Sequence, residues 1–238
     1  MIPKVIHYCW FGRQPLPSLA IRCIESWKKH LPDYEIKEWN EDNFDVNIIP
    51  YTQEAYAVKK YAFVSDFARF WILYKYGGLY FDTDVEVLKS MDAIITRGPF
   101  MGCEYEAGDM SVASVAPGLG LGANPGLGLY KEILDLYTSI HFVNKNGSFN
   151  QKTVVQYMTE LLCKYGMLQI NKAQFIEGIW IYPQEYFCPF HGRSIRFTKN
   201  TYSVHHYMSS WSKLTIRKKI VRCIHFIMLR CYKFIYRL

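Results

Sequence analysis

The chain has 238 residues, half of them apolar and 17% aromatic, which is enough for one α/β domain with a full hydrophobic core. Its seven cysteines are odd in number and irregularly spaced, which argues against a disulfide framework or a zinc site. The formal net charge of +7 comes from the tail, because residues 213–238 contain eight Lys or Arg and no acid. The remaining chain has 20 basic and 21 acidic residues and no basic–aromatic interleaving, which argues against a nucleic-acid partner.

The absence of long apolar segments predicts a cytoplasmic protein. The amino-terminal residues lack the apolar segment of a secretory signal, and no run approaches 18 uncharged apolar residues. A reducing cytoplasm also suits the unpaired thiols.

Strand and helix patterns alternate along the chain and predict an α/β fold. In chain order we expect a strand at 2–9, a helix at 18–30, a strand at 34–39, helices at 53–61 and 65–76, strands at 79–81, 85–88 and 100–104, helices at 129–140 and 153–165, and a strand at 179–182. Glu104 is a candidate inward-facing acid at the end of its strand. The glycine-rich stretch 111–128 is expected to let the backbone lie close to a ligand or a neighbouring segment.

An aromatic residue, Trp10, directly follows the first predicted strand and precedes Phe11 and Gly12. The carboxyl end of a sheet strand is where α/β proteins place ligands, so Trp10 is a candidate ligand-stacking residue. Burial in the core is the equally weighted alternative.

The central stretch 65–84, SDFARFWILYKYGGLYFDTD, carries four charged side chains around a short strand. Asp66 and Arg69 share one side of the first helical turn, and Asp82 and Asp84 follow the strand. Two such acids close together at a strand end are costly unless a divalent cation lies between them, and such a cation also binds phosphate oxygens. The stretch therefore predicts a metal and anionic-ligand site, with a solvated turn and a surface ion pair as the alternative.

Two adjacent histidines, His205 and His206, follow a further alternating stretch. Such pairs are usually surface residues, but a neutral imidazole is also a common metal ligand.

The tail from residue 213 onward predicts a basic amphipathic helix. On a helical wheel, one arc carries the apolar residues Ile216, Ile220, Ile224, Ile227, Cys231, Phe234 and Leu238, and the opposite arc carries Lys218, Lys219, Arg222, Arg230, Lys233 and Arg237. This pattern is typical of a helix lying in a membrane interface. A helix docked on the protein's own core and a nucleic-acid-binding helix are the alternatives.

Taken together, IHYCWFG near the start, the central motif and HHYMSSW near the end resemble glycosyltransferase family 32. The similarity runs from Ile2 to about Trp211 and extends more distantly to the glucosyltransferase domains of large clostridial toxins. It implies a GT-A-type α/β fold, with a mixed central sheet flanked by helices, over residues 1–212, followed by the amphipathic helix at 213–238.

The resemblance also implies roles for individual residues. Trp10 would stack on the base, and Asp66 and Arg69 would hold donor-sugar hydroxyls, with Ser65 and Tyr80 nearby. Asp82 and Asp84 would hold Mn²⁺ or Mg²⁺. The position of a further metal-binding acid is taken here by His206, with His205 as the alternative. Ser209 and Trp211 would contact the diphosphate.

The implied activity is retaining transfer of a hexose-type sugar from a nucleoside diphosphate sugar, with a UDP-sugar as the favoured donor. A lipid-linked oligosaccharide of bacterial capsule, O-antigen or exopolysaccharide synthesis is the expected acceptor, which places the protein peripherally on the inner face of the cytoplasmic membrane. A protein-glycosylating effector and a non-catalytic membrane-surface adaptor are the alternatives.

Overall fold

The computed structural model describes residues 1–106, 109–191, 194–208, 227–229 and 231. Its helices are α1 Ser18–His30, α2 Pro50–Ala57, α3 Tyr61–Tyr76, α4 Asp92–Ile95, α5 Gly128–Thr138 and α6 Val154–Lys164. Its strands are β1 Val5–Cys9, β2 Glu35–Trp39, β3 Gly78–Tyr80, β4 Val85–Val87, β5 Phe100–Glu106, β6 Asp109–Val115, β7 Leu121–Ala123, β8 Gln174–Ile176, β9 Ile179–Tyr182, β10 Phe190–His191, β11 Ser194–Ile195 and β12 Ser203–His205.

The central sheet is mixed, as the family resemblance implies. Its strand order is β2-β1-β3-β7-β5-β9-β8, and β6 pairs with β5. β1 runs parallel to both β2 and β3, whereas β7 runs antiparallel to its neighbours β3 and β5. A separate antiparallel pair joins β12 to β4, directly after the predicted acidic motif.

Two hydrophobic clusters cover the two faces of this sheet. Alternate residues of one strand enter different clusters, as Leu79 and Tyr80 of β3 do, because successive side chains in a strand point to opposite faces. Helix α3 packs its buried residues, including Phe67 and Phe70, into the first cluster, and Trp27 of α1 lies in the second. Packing in the core therefore fixes the orientation of α3 and β3, the two elements that carry the predicted site.

The glycine pair between α3 and β3 permits a tight turn at this junction. Gly77 and Gly78 have φ angles of 64° and 100°, a region that side chains disfavour. A Cβ on Gly78 would lie 2.6 Å from the carbonyl oxygen of Val5 on the neighbouring strand. The helix can therefore pass directly into the sheet.

A buried histidine, His7, ties this turn to the first two strands. The indole N–H of Trp39 donates to His7 Nδ1 at 3.1 Å, so His7 carries its proton on Nε2, which donates to the carbonyl of Gly77 at 3.0 Å. Burial lowers the pKa of His7 to about 4. His7 is therefore a neutral structural residue of the sheet.

We expect His7 to make the folded state lose stability in mild acid. A histidine whose folded pKa lies below its unfolded value stabilises the protein above pH 6.5 and loses that contribution as the pH falls towards the folded pKa. Between pH 7.5 and pH 5 the wild type should therefore lose about 2 kcal/mol more unfolding free energy than His7→Gln does. Urea unfolding of both proteins at each pH measures this, and equal losses would contradict it.

The sequence places most of the longer elements correctly, but it predicts none of α4, β8, β10 and β11. Helix α3 begins at Tyr61, before the predicted residue 65. Helix α2 begins at Pro50 and ends at Ala57, earlier than the predicted 53–61, because Pro50 suits the first turn of a helix. The glycine-rich stretch also contains strands, the end of β6 and all of β7, which were not predicted.

Among the described residues, none of the helices combines the length and apolarity that crossing a bilayer requires. Four residues of the predicted tail helix, 227–229 and 231, are described and are helical. The predicted site residues Ser209 and Trp211 and the remainder of the tail helix lie outside the described residues.

Candidate functional site

The candidate site lies where the three parallel strands end. Because β2, β1 and β3 run side by side in the same direction, their carboxyl ends open at one edge of the sheet. Asn40, Trp10 and Asp82 follow these strands at that edge. This is the ligand-binding edge of α/β sheets.

A buried arginine, Arg69 of α3, joins the two predicted groups of charges. Its Nη2 lies 3.0 Å from Asp66 Oδ1 and 3.3 Å from Asp82 Oδ1. Its Nε donates to the carbonyl of Ser65 at 3.1 Å, and its guanidinium lies 5.1 Å from the centre of the Tyr80 ring. These contacts fix the guanidinium between the helix and the end of β3.

The charges in this cluster depend on one another. Burial raises the pKa of Asp66 to about 7, although the adjacent Arg69 opposes this shift. Burial also acts to lower the pKa of Arg69, but Asp82 and the other neighbours raise it above its usual value. Arg69 therefore stays charged, while Asp66 can bind or release a proton near neutral pH.

The second acid of the motif, Asp84, lies against the strand pair β4–β12. Its Oδ1 lies 3.0 Å from His205 Nε2, and its Oδ2 accepts the backbone N–H of Met208 at 2.6 Å. Burial opposes ionisation, but His205 and the Met208 N–H hold the pKa of Asp84 at about 2. Asp84 is therefore an ionised buried carboxylate.

The side chain of His206, which the sequence analysis favoured as metal ligand, pairs with a different acid. Its Nε2 is 3.0 Å from Glu86 Oε2. The β4–β12 register pairs His205 with Val85, next to Asp84, and so assigns the alternative, His205, to the acidic motif. Among the described residues, the group that could hold a metal ion therefore contains His205, the alternative, and does not contain His206.

Asp82, Asp84 and His205 each offer a ligand atom, and these three atoms lie within 4.8 Å of one another. Two carboxylates and an imidazole suit Mn²⁺ and related divalent ions. His205 Nδ1 is buried and has no hydrogen-bond partner among the described residues, so this nitrogen can bond to a metal ion once the imidazole has released its proton. The residues present therefore fit the divalent cation that the motif implies.

At the same edge of the sheet, a cleft of about 480 Å³ opens at the ends of β1 and β2. Trp10 lines it together with Arg13, Gln14, Pro15, Glu38, Asn40, Glu41 and Asp42. The indole N–H of Trp10 donates to the carbonyl of Gln14 at 2.5 Å, which orients the ring. Trp10 both lines the cleft and packs against the second hydrophobic cluster, so its position is compatible with both interpretations.

Two other predicted site residues, Ser65 and Tyr80, contact protein groups next to the charged cluster. The hydroxyl of Ser65 donates to the carbonyl of Tyr61 within α3 at 3.2 Å. Tyr80 is buried, and its ring lies beneath Arg69. Both lie next to the charged cluster, and Tyr80 contacts Arg69.

Two features of the site have only weak signals in the sequence. Gly118 packs so closely on Asp82 that an added Cβ would overlap Asp82 Oδ2, which agrees with the close backbone approach expected of the glycine-rich stretch. Glu104, predicted as a candidate inward acid, accepts a hydrogen bond from the Tyr207 hydroxyl at 2.6 Å. Tyr207 belongs to the HHYMSSW stretch, but no sequence signal connects it with Glu104, which is 103 residues away.

Comparison with known proteins agrees with this site. Residues 17–101 match the family model described as a glycosyltransferase sugar-binding region containing a DXD motif. The matched segment includes α3, Asp82 and Asp84.

A curated relative, inositol phosphoceramide mannosyltransferase 3 of Schizosaccharomyces pombe, is 32% identical over 98 residues. That alignment covers 40% of this chain and 27% of the relative, so the chain spans about a quarter of that protein's length.

Two solved structures share the fold. The PaToxG glycosyltransferase superposes with a TM-score of 0.51 at 21% identity, covering 68% of this chain and 69% of that one. A glycosyltransferase involved in glycosylation of the major capsid of PBCV-1 superposes with a TM-score of 0.50 at 13% identity, covering 94% of this chain and all of that one. The chain therefore shares the GT-A-type fold of these glycosyltransferases, and its residues 17–101 match the model of a DXD-containing sugar-binding region.

Proposed function

We propose that the chain transfers a hexose-type sugar from a nucleoside diphosphate sugar, with retention and with a divalent cation. The observation that carries the proposal is the convergence of two clusters at one sheet edge. Arg69 joins Asp66 to Asp82, and Asp82 in turn lies within ligand distance of Asp84 and His205.

The charge distribution suits a sugar diphosphate. Asp82, Asp84 and His205 would hold Mn²⁺ or Mg²⁺, which supplies Lewis-acid neutralisation of the departing diphosphate. Arg69 presents a fixed cation, and Asp66 an acceptor for sugar hydroxyls, on the α3 side of the same site. The buried, pre-formed position of these groups limits the reorganisation needed during transfer.

For the donor we propose a UDP-sugar, with the base in the cleft beside Trp10. The indole face offers a stacking surface, and the cleft has room for a base and ribose. The relative named as a mannosyltransferase makes mannose a sugar to test alongside glucose.

A thermal-shift panel of UDP- and GDP-linked hexoses tests the donor. With Mn²⁺ present, we expect one nucleotide sugar to raise Tm clearly, since a ligand that binds only the folded state stabilises it. EDTA should remove the shift, and the same sugar should be hydrolysed slowly without acceptor. Absence of both binding and hydrolysis across the panel would contradict the proposal and favour a non-catalytic adaptor.

Gly118→Ala should impair transfer through Asp82. The new methyl group would displace the Asp82 carboxylate from Arg69 and from the metal-binding cluster, and we expect roughly tenfold slower turnover. Gly128→Ala is the matched control, because a Cβ there meets nothing within 4 Å and Gly128 begins α5. Steady-state kinetics of the two variants tests this, and equal rates would rule out the close packing on Asp82 as a requirement.

For the acceptor we propose a lipid-linked glycan at the inner face of the cytoplasmic membrane. Within the described tail residues, Leu229 is 3% exposed and packs on the core, whereas Ile227 is 60% exposed and Cys231 is also exposed. Positions 227 and 229 lie on opposite sides of a helix. Ile227 and Cys231, the two described members of the predicted apolar arc, are therefore both exposed, as membrane contact requires. The relative's name, which refers to an inositol phosphoceramide, also supports a lipid acceptor.

Charge reversal in the full-length chain tests the membrane proposal. Lys218→Glu with Lys219→Glu should reduce sedimentation with vesicles containing phosphatidylglycerol, because each basic residue near an anionic leaflet contributes about 1 kcal/mol. Lys145→Glu with Lys172→Glu changes the net charge equally at exposed positions of the body and is the control. Equal binding by both pairs would argue against the tail as a membrane contact.

A further inference from the structure

The turn that follows β12 contains an unusual backbone conformation at Tyr207. Its φ angle is 47°, in the left-handed region that residues with a bulky side chain seldom adopt. Such a conformation persists where surrounding contacts enforce it, and it concentrates at functional sites. The contacts that enforce it here can be identified.

The Tyr207 side chain is anchored to the central sheet and to the segment after β9. Its hydroxyl donates to Glu104 Oε2 at 2.6 Å and lies 2.9 Å from Cys188 Sγ. Glu104 belongs to β5, so this bond connects the turn to a strand held on both sides. The end of the tyrosine side chain is therefore fixed by elements outside the metal-binding cluster.

The ring and backbone of the same turn contact the metal-binding cluster. The Tyr207 ring centre lies 4.3 Å from that of His205. On either side of Tyr207, the N–H of His206 donates to the Asp84 carbonyl at 2.9 Å and the N–H of Met208 donates to Asp84 Oδ2 at 2.6 Å. The left-handed residue therefore lies between two backbone donors that both bind Asp84.

We propose that Tyr207, anchored by Glu104, is a positioning residue that holds His205 and Asp84 in the arrangement that binds the divalent cation. This inference rests on the proposed metal site and assigns two further residues to it. Tyr207 acts through its neighbours: its ring restricts the His205 imidazole, and its anchored backbone directs the flanking amides to Asp84. Residues that orient metal ligands in this way commonly affect metal affinity by about 10- to 100-fold.

The affinity for Mn²⁺ alone tests the proposal without an activity assay. Binding is measured from the decrease of the free Mn²⁺ signal in electron paramagnetic resonance. Tyr207→Phe keeps the ring and removes the hydroxyl, and we expect its Kd for Mn²⁺ to rise about tenfold. Tyr165→Phe is the matched control, because the Tyr165 hydroxyl donates to Glu132 at 2.7 Å on the surface. A Kd for Tyr207→Phe equal to that of the control would overturn the proposal.

Tyr207→Phe leaves the carboxylate of Glu104 without its tyrosine donor and could therefore destabilise the fold. A second variant avoids this. The double variant Tyr207→Phe with Glu104→Leu removes donor and acceptor together, so neither is left unsatisfied. If the two residues act through one bond, the double variant should have the same Kd as either single variant. Additive losses in Kd would overturn the anchoring role of Glu104.

Tyr207→Gly separates the side chain from the backbone. Glycine adopts a positive φ without strain, so a role limited to the backbone conformation predicts unchanged Mn²⁺ affinity. The anchoring role predicts a Kd at least as high as that of Tyr207→Phe. Unchanged affinity in the glycine variant would overturn the role of the side chain.

Asp84→Asn distinguishes failure of this inference from failure of the metal site. Wild-type Mn²⁺ affinity in Asp84→Asn would show that the proposed metal site itself is wrong. Reduced affinity in Asp84→Asn, together with wild-type affinity in all Tyr207 variants, would overturn the positioning role alone.

Discussion

Asp84→Asn is expected to abolish sugar transfer while the protein remains folded. Asparagine has the same shape but no charge, so the site would lose the ionised carboxylate that lies 3.0 Å from His205. Loss of several kcal/mol of charge stabilisation in the transition state corresponds to a decrease of about 10³-fold in kcat/KM.

The neighbouring acid, Glu86, provides a matched control for Asp84→Asn. Glu86 pairs with His206 at 3.0 Å, the same separation as in the Asp84–His205 pair, but it lies outside the group of three metal-binding residues. Glu86→Gln should therefore keep its activity within a few-fold of wild type. Transfer assays with thermal unfolding of both variants measure this. Full activity in Asp84→Asn, or equal losses in both variants, would contradict the assigned metal site.

The elements around the site could be predicted because their local signals agree with their tertiary environment. Helix α3 carries an apolar face that packs in the core, and Gly77 and Gly78 mark the turn into β3. The Asp-Thr-Asp sequence follows that strand directly, so the position of Asp82 and Asp84 at a sheet edge follows from chain order alone. In each of these cases the decisive information lies within about twenty consecutive residues.

The remainder of the site depends on pairings between distant segments. The choice between His205 and His206 requires the β4–β12 register, which joins residues about 120 positions apart. Counting back from Trp211 by resemblance indicated His206, but the pairing with Val85 places His205 next to Asp84. Likewise, β7 joins β3 to β5 through only three residues, too few for a periodic pattern to be recognised.

Arg69→Met is expected to reduce both stability and activity more than any surface substitution. The methionine side chain fills similar space, but it leaves Asp66 and Asp82 without the cation that lies 3.0 and 3.3 Å from them. Removing one partner of a buried ion pair costs about 3–5 kcal/mol of unfolding free energy. We also expect about 10²-fold or greater loss of transfer, because the guanidinium is the fixed cation on the α3 side of the site.

Lys131→Met is the control for this substitution, since it removes an exposed ion pair with Asp135 within α5. Exposed pairs of this type contribute less than about 1 kcal/mol, so Lys131→Met should unfold at nearly the wild-type urea concentration. Wild-type stability in Arg69→Met would show that Arg69 does not hold the two acids together.

The pH dependence identifies which acid causes the loss in Arg69→Met. Burial already raises the pKa of Asp66 to about 7, and removing the arginine that opposes this shift should raise it further. An acid whose folded pKa exceeds its unfolded value costs stability as the pH rises through the folded pKa. Arg69→Met should therefore be more destabilised at pH 8 than at pH 6, and adding Asp66→Asn should restore stability at pH 8 without restoring transfer. If stability does not return in the double variant, the cost lies with Asp82 and the metal-binding cluster, and Asp66 is not the acid that Arg69 neutralises.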